Sequence, residues 1–207
     1  MVKNDQMVGT DMRERKLPPV TCVLVAANIL LYIYVTVRRV GAGGVPTLYQ
    51  WVLYPFAVMY QGEYYRLFTS MFMHFGASHL MHNMLMLFLI GQRMEDAAGS
   101  FKTLLIYVLS GLGANLFSLW YYEHQQLQVF SAGASGAIMG MIGALFACIL
   151  KNRRSLGGID RHQMLILIVF SLYSGFVSSS TNNAAHISGM LFGFLLGMLL
   201  CRPKESW

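Results

Sequence analysis

Charge is what this sequence has least of. Only 12% of its 207 residues are Asp, Glu, Lys or Arg, while 56% are hydrophobic, against a charged share of about 25% in soluble domains. That shortage excludes an ordinary water-soluble globule and places the chain in a membrane. Cysteine is scarce too. Cys22, Cys148 and Cys201 are widely spaced, each inside or at the edge of an apolar run, with no CxxC pair and no even framework. They read as small buried hydrophobes rather than as disulfide partners or metal ligands, and neither a metal nor a cofactor is expected. The net charge of +6 comes from basic residues scattered between apolar runs, with no basic stripe interleaved with aromatics. A nucleic-acid partner is therefore excluded, and the charges are read as setting membrane topology.

What is present is a succession of apolar runs. Crossing a hydrocarbon core of about 30 Å takes roughly 20 residues, and such runs occupy 18–37, 77–94, 103–122, 133–150, 163–179 and 184–201. The expected fold is all-α: a polytopic bundle of six transmembrane helices over 18–201, flanked by a polar tail at 1–17 and a short C-terminus at 202–207. The first run is too long for a signal-peptide core and lacks a small-x-small cleavage site, so it reads as a retained span. The last three runs are short, which suggests helices buried among others. Between the first two, the stretch Leu48–Tyr60 is rich in Tyr and Trp and poor in charge, as expected of a loop lying at the membrane interface.

Orientation follows from the fifteen Lys and Arg. With the N-terminus in the cytoplasm, twelve fall on that side: Lys3, Arg13, Arg15, Lys16, Arg93, Lys102, Lys151, Arg153, Arg154, Arg161, Arg202 and Lys204. Only Arg38, Arg39 and Arg66 fall outside. The positive-inside rule selects this topology and puts both termini in the cytoplasm.

Polar side chains within spans are costly and mark function. The second run holds His79, His82 and Asn83, the fourth Ser135, and the sixth His186 and Ser188. All lie in the N-terminal half of runs that pass from outside to inside. Ser135 precedes Lys151 by sixteen residues, and His186 precedes Arg202 by sixteen. At 1.5 Å per residue both stand about 24 Å above the inner boundary, so two residues on separate helices reach one level. Gly136-xxx-Gly140 follows the serine, and Gly189-xxx-Gly193-xxx-Gly197 follows the histidine, spacing that lets two membrane helices meet backbone to backbone.

A serine hydroxyl is a weak nucleophile until a base removes its proton, and His186 could do so. An acid to orient that histidine is missing. None of the nine acids, Asp5, Asp11, Glu14, Glu63, Glu95, Asp96, Glu123, Asp160 and Glu205, lies inside a run, so any catalysis uses a dyad. Free N–H groups at the start of the serine's helix would favour a developing oxyanion. His79 and Asn83, at i and i+4 on one helix face, could add donors. His82 lies on another azimuth and reads as packing or interface.

These residues stand in a recognisable order. Gly133-Ala-Ser-Gly136 resembles the nucleophile motif of the rhomboid family of intramembrane serine proteases, and Ala185-His-Ile-Ser-Gly189 resembles its final-span histidine motif. His74-xxxx-His79-xxx-Asn83, Glu63-Tyr-Tyr-Arg66 and Gly91-Gln-Arg-Met-Glu95 are similar to its second-span, outer-loop and second-span-exit patterns. The resemblance covers roughly 18–201. It implies a serine endopeptidase of a bacterial plasma membrane that acts on transmembrane protein substrates near the outer face. Ser135 would be nucleophile, His186 base, and His79 and Asn83 oxyanion donors, with lateral access near spans two and five. It implies partners in the lipid bilayer and its proteins, and no particular oligomeric state. Three positions depart from the pattern: Tyr65 replaces the commoner Trp, Ser188 a common Gly, and Met139 an aromatic that would stack on the histidine.

The alternative within this resemblance is a catalytically silent membrane-protein binding or chaperone module, which would be expected to lose the serine or the histidine. Both are present. A transporter would carry polar residues through both leaflets or an inverted repeat, and neither is seen. HExxH and buried Asp residues are absent, and a zinc site from His79, His82 and His186 is disfavoured.

Overall fold

The computed structural model describes residues 17–38, 46–152, 158–177 and 181–201. The tails at 1–16 and 202–207 lie outside the described residues. So do Arg39, Arg153 and Arg154, which with Lys3, Arg13, Arg15, Lys16, Arg202 and Lys204 entered the orientation argument.

Each expected span is a helix. They are α1 (Pro19–Val37), α4 (Ala77–Ala98), α5 (Ser100–His124), α6 (Ser135–Asn152), α7 (Arg161–Val177) and α8 (Asn183–Leu200). Two short helices, α2 (Pro55–Gln61) and α3 (Arg66–Thr69), and 3₁₀ turns at Thr47–Gln50 and Ser70–Phe72 fill the connection between α1 and α4. An isolated antiparallel bridge pairs Leu53 with Ser131. Helices α1, α5, α6 and α8 are long and apolar enough to cross a membrane. Helix α7 has 17 residues. Helix α4 has 22 but carries the polar residues of the site at one end and Arg93, Glu95 and Asp96 at the other.

The ends follow from local chemistry. Prolines open α1 and α2, where a missing N–H costs nothing. At the start of α7, the Asp160 carboxylate accepts the N–H groups of His162 (2.8 Å) and Gln163 (2.9 Å), while Gln163 Oε1 accepts the Asp160 N–H. This is a reciprocal cap, and the Gln163 N–H foremost holds the Asp160 carboxyl below its usual range.

Burial is uneven among the spans. Helix α6 is the central element, with thirteen of its residues buried. Short length did not mean burial for the others. Only Met164 and Gly175 of α7 are buried, and Ile166, Val169, Phe170, Tyr173 and Phe176 are exposed along it. The expectation of three enclosed final helices is thus corrected: α6 is enclosed, α7 faces outward, and α8 is buried only at Ala185, Ser188, Gly189, Gly193 and Gly197.

Cys148 of α6 and Cys201, just after α8, are both buried, as expected of small hydrophobes, and pack together with Cα atoms 5.4 Å apart. Parallel packing of α6 and α8 brings together two residues 53 apart in the chain. One further expectation is corrected. Glu95, expected outside the spans, lies buried in the last turn of α4. It accepts the Thr21 N–H (2.7 Å), the Thr21 hydroxyl (2.6 Å), the Val20 N–H (3.4 Å) and the Ser100 hydroxyl (2.7 Å). These donors surround it at the positive end of α1, which makes the carboxylate tolerable there and fastens α1 to the α4–α5 corner. Gly91 leaves room for Thr21 at this joint: a Cβ there would stand 2.5 Å from its Oγ1.

Candidate active site

The glycine seam sets the relative position of Ser135 and His186. A Cβ added to Gly189 would strike the carbonyl oxygen of Gly136, one at Gly193 that of Gly140, and one at Gly197 would stand 2.6 Å from that of Ala144. Positions rise together on both helices, so α6 and α8 run parallel in backbone contact, as small-xxx-small seams allow. Helix α5 packs against them in the opposite sense, since Ala114 meets Gly136 and Ser110 meets Gly140. Ser135 is the first residue of α6, and His186 lies in the first turn of α8. The Gly136 position faces Ala185 (Cβ to Cβ 3.7 Å), so the two side chains project from neighbouring residues at one end of the seam.

Helix α4 brings the third group to the same end. A Cβ at Gly133 would stand 3.0 Å from His79 Nε2 and 3.7 Å from Ser135 Oγ, at a φ of +133°. Only glycine combines that backbone with so near an imidazole. The Gly133 N–H donates to the Ser70 carbonyl at 2.9 Å, tying the residues before Ser135 to the loop region. At the start of α6 the Ile138 N–H reaches back to Ala134 O. The N–H groups of the turn before it have no partner within the helix.

Asn83 is buried, and its Nδ2 donates one hydrogen to the His79 carbonyl at 2.9 Å. A second hydrogen on that nitrogen remains for another acceptor. His82 turns away: it is exposed, with Nδ1 2.8 Å from Ser78 O. Ser188 is buried and donates to Ala184 O at 2.5 Å, which accounts for it as a satisfied polar group. Among the described residues no cluster of three His, Cys, Asp or Glu is arranged to hold a metal ion.

Among the described residues neither the Ser135 hydroxyl nor the His186 ring makes a hydrogen bond, and His186 Nδ1 is buried without a partner. Catalytic hydrogen bonds are often long in free enzymes and tighten around substrate. Among the described residues no acid bonds the imidazole. Gly175 of α7 covers it instead, its Cβ position 3.4 Å from His186 Nδ1.

Other polar residues support this end, and composition alone had not singled them out. Asn182 caps α8 by accepting the Ala185 N–H (2.9 Å), and its Nδ2 donates to Ser131 Oγ (2.9 Å) and Ser118 Oγ (3.1 Å). It thereby joins the start of α8 to the segment leading into Ser135. Asn115 of α5 donates to Leu67 O (2.8 Å) and Ser70 Oγ (2.9 Å). Asn28 of α1 is buried and bonds Leu24 O in its own helix. His74 is buried 5.0 Å from His79, ring centre to ring centre, edge to face. Arg66 of the Glu63-Tyr-Tyr-Arg66 motif is buried too. It is paired with Glu63 and donates from Nη1 to Tyr49 O (2.7 Å) and Val52 O (2.9 Å). That signal was present in the sequence as a motif, and its action on two loop carbonyls became visible only in three dimensions.

Comparison with known proteins matches residues 61–203 to the rhomboid domain. Rhomboid protease GluP of Bacillus subtilis is 32% identical over 91% of this chain and 36% of its own length. Rhomboid protease AarA of Providencia stuartii is 34% identical over 86% of this chain and 71% of its own length. RHOMBOID-like protein 5 of Arabidopsis thaliana is 37% identical over 71% of this chain and 48% of its length. The chain therefore spans less than half of two of these relatives and most of the third.

Proposed function

The chain belongs to the rhomboid family as an integral, multi-pass membrane protein, and from that premise we propose that it is a serine endopeptidase that cuts transmembrane protein substrates within the bilayer. Ser135 attacks the scissile carbonyl, and His186 accepts its proton and returns it to the leaving amine. The tetrahedral oxyanion forms beside the start of α6. Unpaired N–H groups, the helix dipole, the His79 ring and the second Asn83 hydrogen share its charge in this reading. The observation that carries this reading is the glycine seam, which holds the first residue of α6 and the first turn of α8 at one level with His79 against Gly133.

The reading extends to access and orientation. Helix α7 is held by few buried residues and touches His186 through Gly175, which supports lateral entry of substrate between α4 and α7. The excess of Lys and Arg supports cytoplasmic termini, with Ser135 and His186 in the outer half of the membrane. One observation favours the silent alternative, the missing Ser135–His186 hydrogen bond. Cleavage of a reporter membrane segment by the purified protein separates the two. Wild-type protein should cut, and Ser135→Ala or His186→Ala should fall to background while still accumulating in membranes. An inert wild type, or a Ser135→Ala protein that still cuts, rejects the mechanism.

A further inference from the structure

Away from the dyad, the C-terminal end of α5 carries a carboxylate with one oxygen left unpartnered. Glu123 uses Oε1 to accept the Tyr60 hydroxyl of α2 at 2.7 Å, while its Oε2 is buried with no hydrogen-bond partner. The residue borders a cleft of about 330 Å³ lined by Met59 of α2 and by Leu116, Leu119, Trp120 and His124 of α5. The His124 ring lies flat on Trp120, centres 5.6 Å apart, and makes no bond to the carboxylate. A carboxylate oxygen sheltered from water and lacking a donor is costly unless a cation or donor meets it. Below Glu123 the cleft is wholly apolar, and Leu116, Phe117 and Trp120 are exposed on the lipid-facing side of this spanning helix. Because α5 runs opposite to α6, the cleft lies at the same membrane interface as Ser135.

We propose that this cleft binds one phospholipid bearing a primary ammonium headgroup, a phosphatidylethanolamine. The ammonium donates to Glu123 Oε2 beside the Trp120 ring, and an acyl chain runs along Leu116, Leu119 and Met59. The charge is complementary, aromatic faces favour cations, and three N–H donors answer an oxygen that has none. A quaternary choline headgroup carries charge but no N–H and cannot satisfy that oxygen. A water-soluble amine would make no use of the apolar wall.

The test uses the purified full chain in detergent with defined lipids, reading retained lipid by native mass spectrometry and thermal stabilisation in parallel. Phosphatidylethanolamine should be retained as a single adduct about tenfold more tightly than phosphatidylcholine, the span of one charge-assisted hydrogen bond. Glu123→Gln should erase that preference with an unchanged lipid-free melting temperature. Tyr60→Phe, which keeps the charge and removes only the bond to Oε1, should retain it. Equal retention of the two lipids, or an undiminished preference in Glu123→Gln, overturns the proposal. So does displacement of the lipid by a lysine-containing peptide but not by excess phosphatidylethanolamine, which would make the cleft a substrate-flank site.

Discussion

At the residue scale the informative contrast is between Asn83 and Ser188. Both are buried polar groups in spans, and both bond a carbonyl of their own helix. The hydroxyl of Ser188 spends its single hydrogen on that bond, whereas the amide of Asn83 has two hydrogens and spends one. Only Asn83 therefore keeps a donor for charge that appears in a transition state. Its loss should lower turnover more than substrate binding. An oxyanion donor is worth about 2.7–4 kcal/mol in other enzymes, and with His79 and backbone N–H groups remaining, the effect here should sit at or below the low end. We predict that Asn83→Ala is folded and slow, with residual cleavage above that of Ser135→Ala. Cleavage rates at saturating substrate, measured alongside melting temperature, check this. Unchanged turnover in a stable variant removes Asn83 from the site.

Elements are held by two different devices, and each makes its own prediction. The α6–α8 seam depends on missing side chains. A methyl at Gly193 would strike the Gly140 carbonyl, with Gly140 Cα 2.5 Å away, so the backbones must separate. Overpacking costs about 1–3 kcal/mol, and backbone rather than a flexible side chain is what must yield here. Gly193→Ala should fall at the upper end and also impair cleavage, because separation moves His186 relative to Ser135. Leu199→Ala on the exposed face of α8 should do neither. The interfacial loop instead depends on one buried side chain. Arg66 holds Glu63 and two carbonyls, and Arg66→Leu would orphan all three. The expected loss is about 2–3 kcal/mol, with limited proteolysis cutting first within 46–65. Arg66→Lys should rescue little, since a point charge does not reproduce the fork. Proteolysis patterns identical to wild type would remove the staple.

For the whole molecule, orientation is the property on which the depth of the site depends. Cysteine-accessibility labelling in intact cells should place positions 124–130 and 178–183 outside and 151–161 inside. The reverse pattern would put Ser135 and His186 in the inner half and overturn the lateral-access reading with it. The six spans, the equal depth of the dyad and the glycine seam were legible because they rest on fixed local geometry. A hydrocarbon core needs a run of known length, a helix rises 1.5 Å per residue, and small residues every fourth position share a face. Even the loop's place between α1 and α4 followed from its composition. What the chain could not announce by period or spacing was which distant residues meet. Glu95 reaches Thr21 across 74 positions, Asn182 reaches Ser131 across 51, and Cys148 meets Cys201 across 53. Each meeting depends on which face of one helix packs on another. The same applies to α7, whose apolar run resembles those of its neighbours and yet faces outward. An apolar side chain suits lipid as well as it suits a helix–helix contact, so hydropathy fixed that α7 is in the membrane, and packing alone decided what it touches.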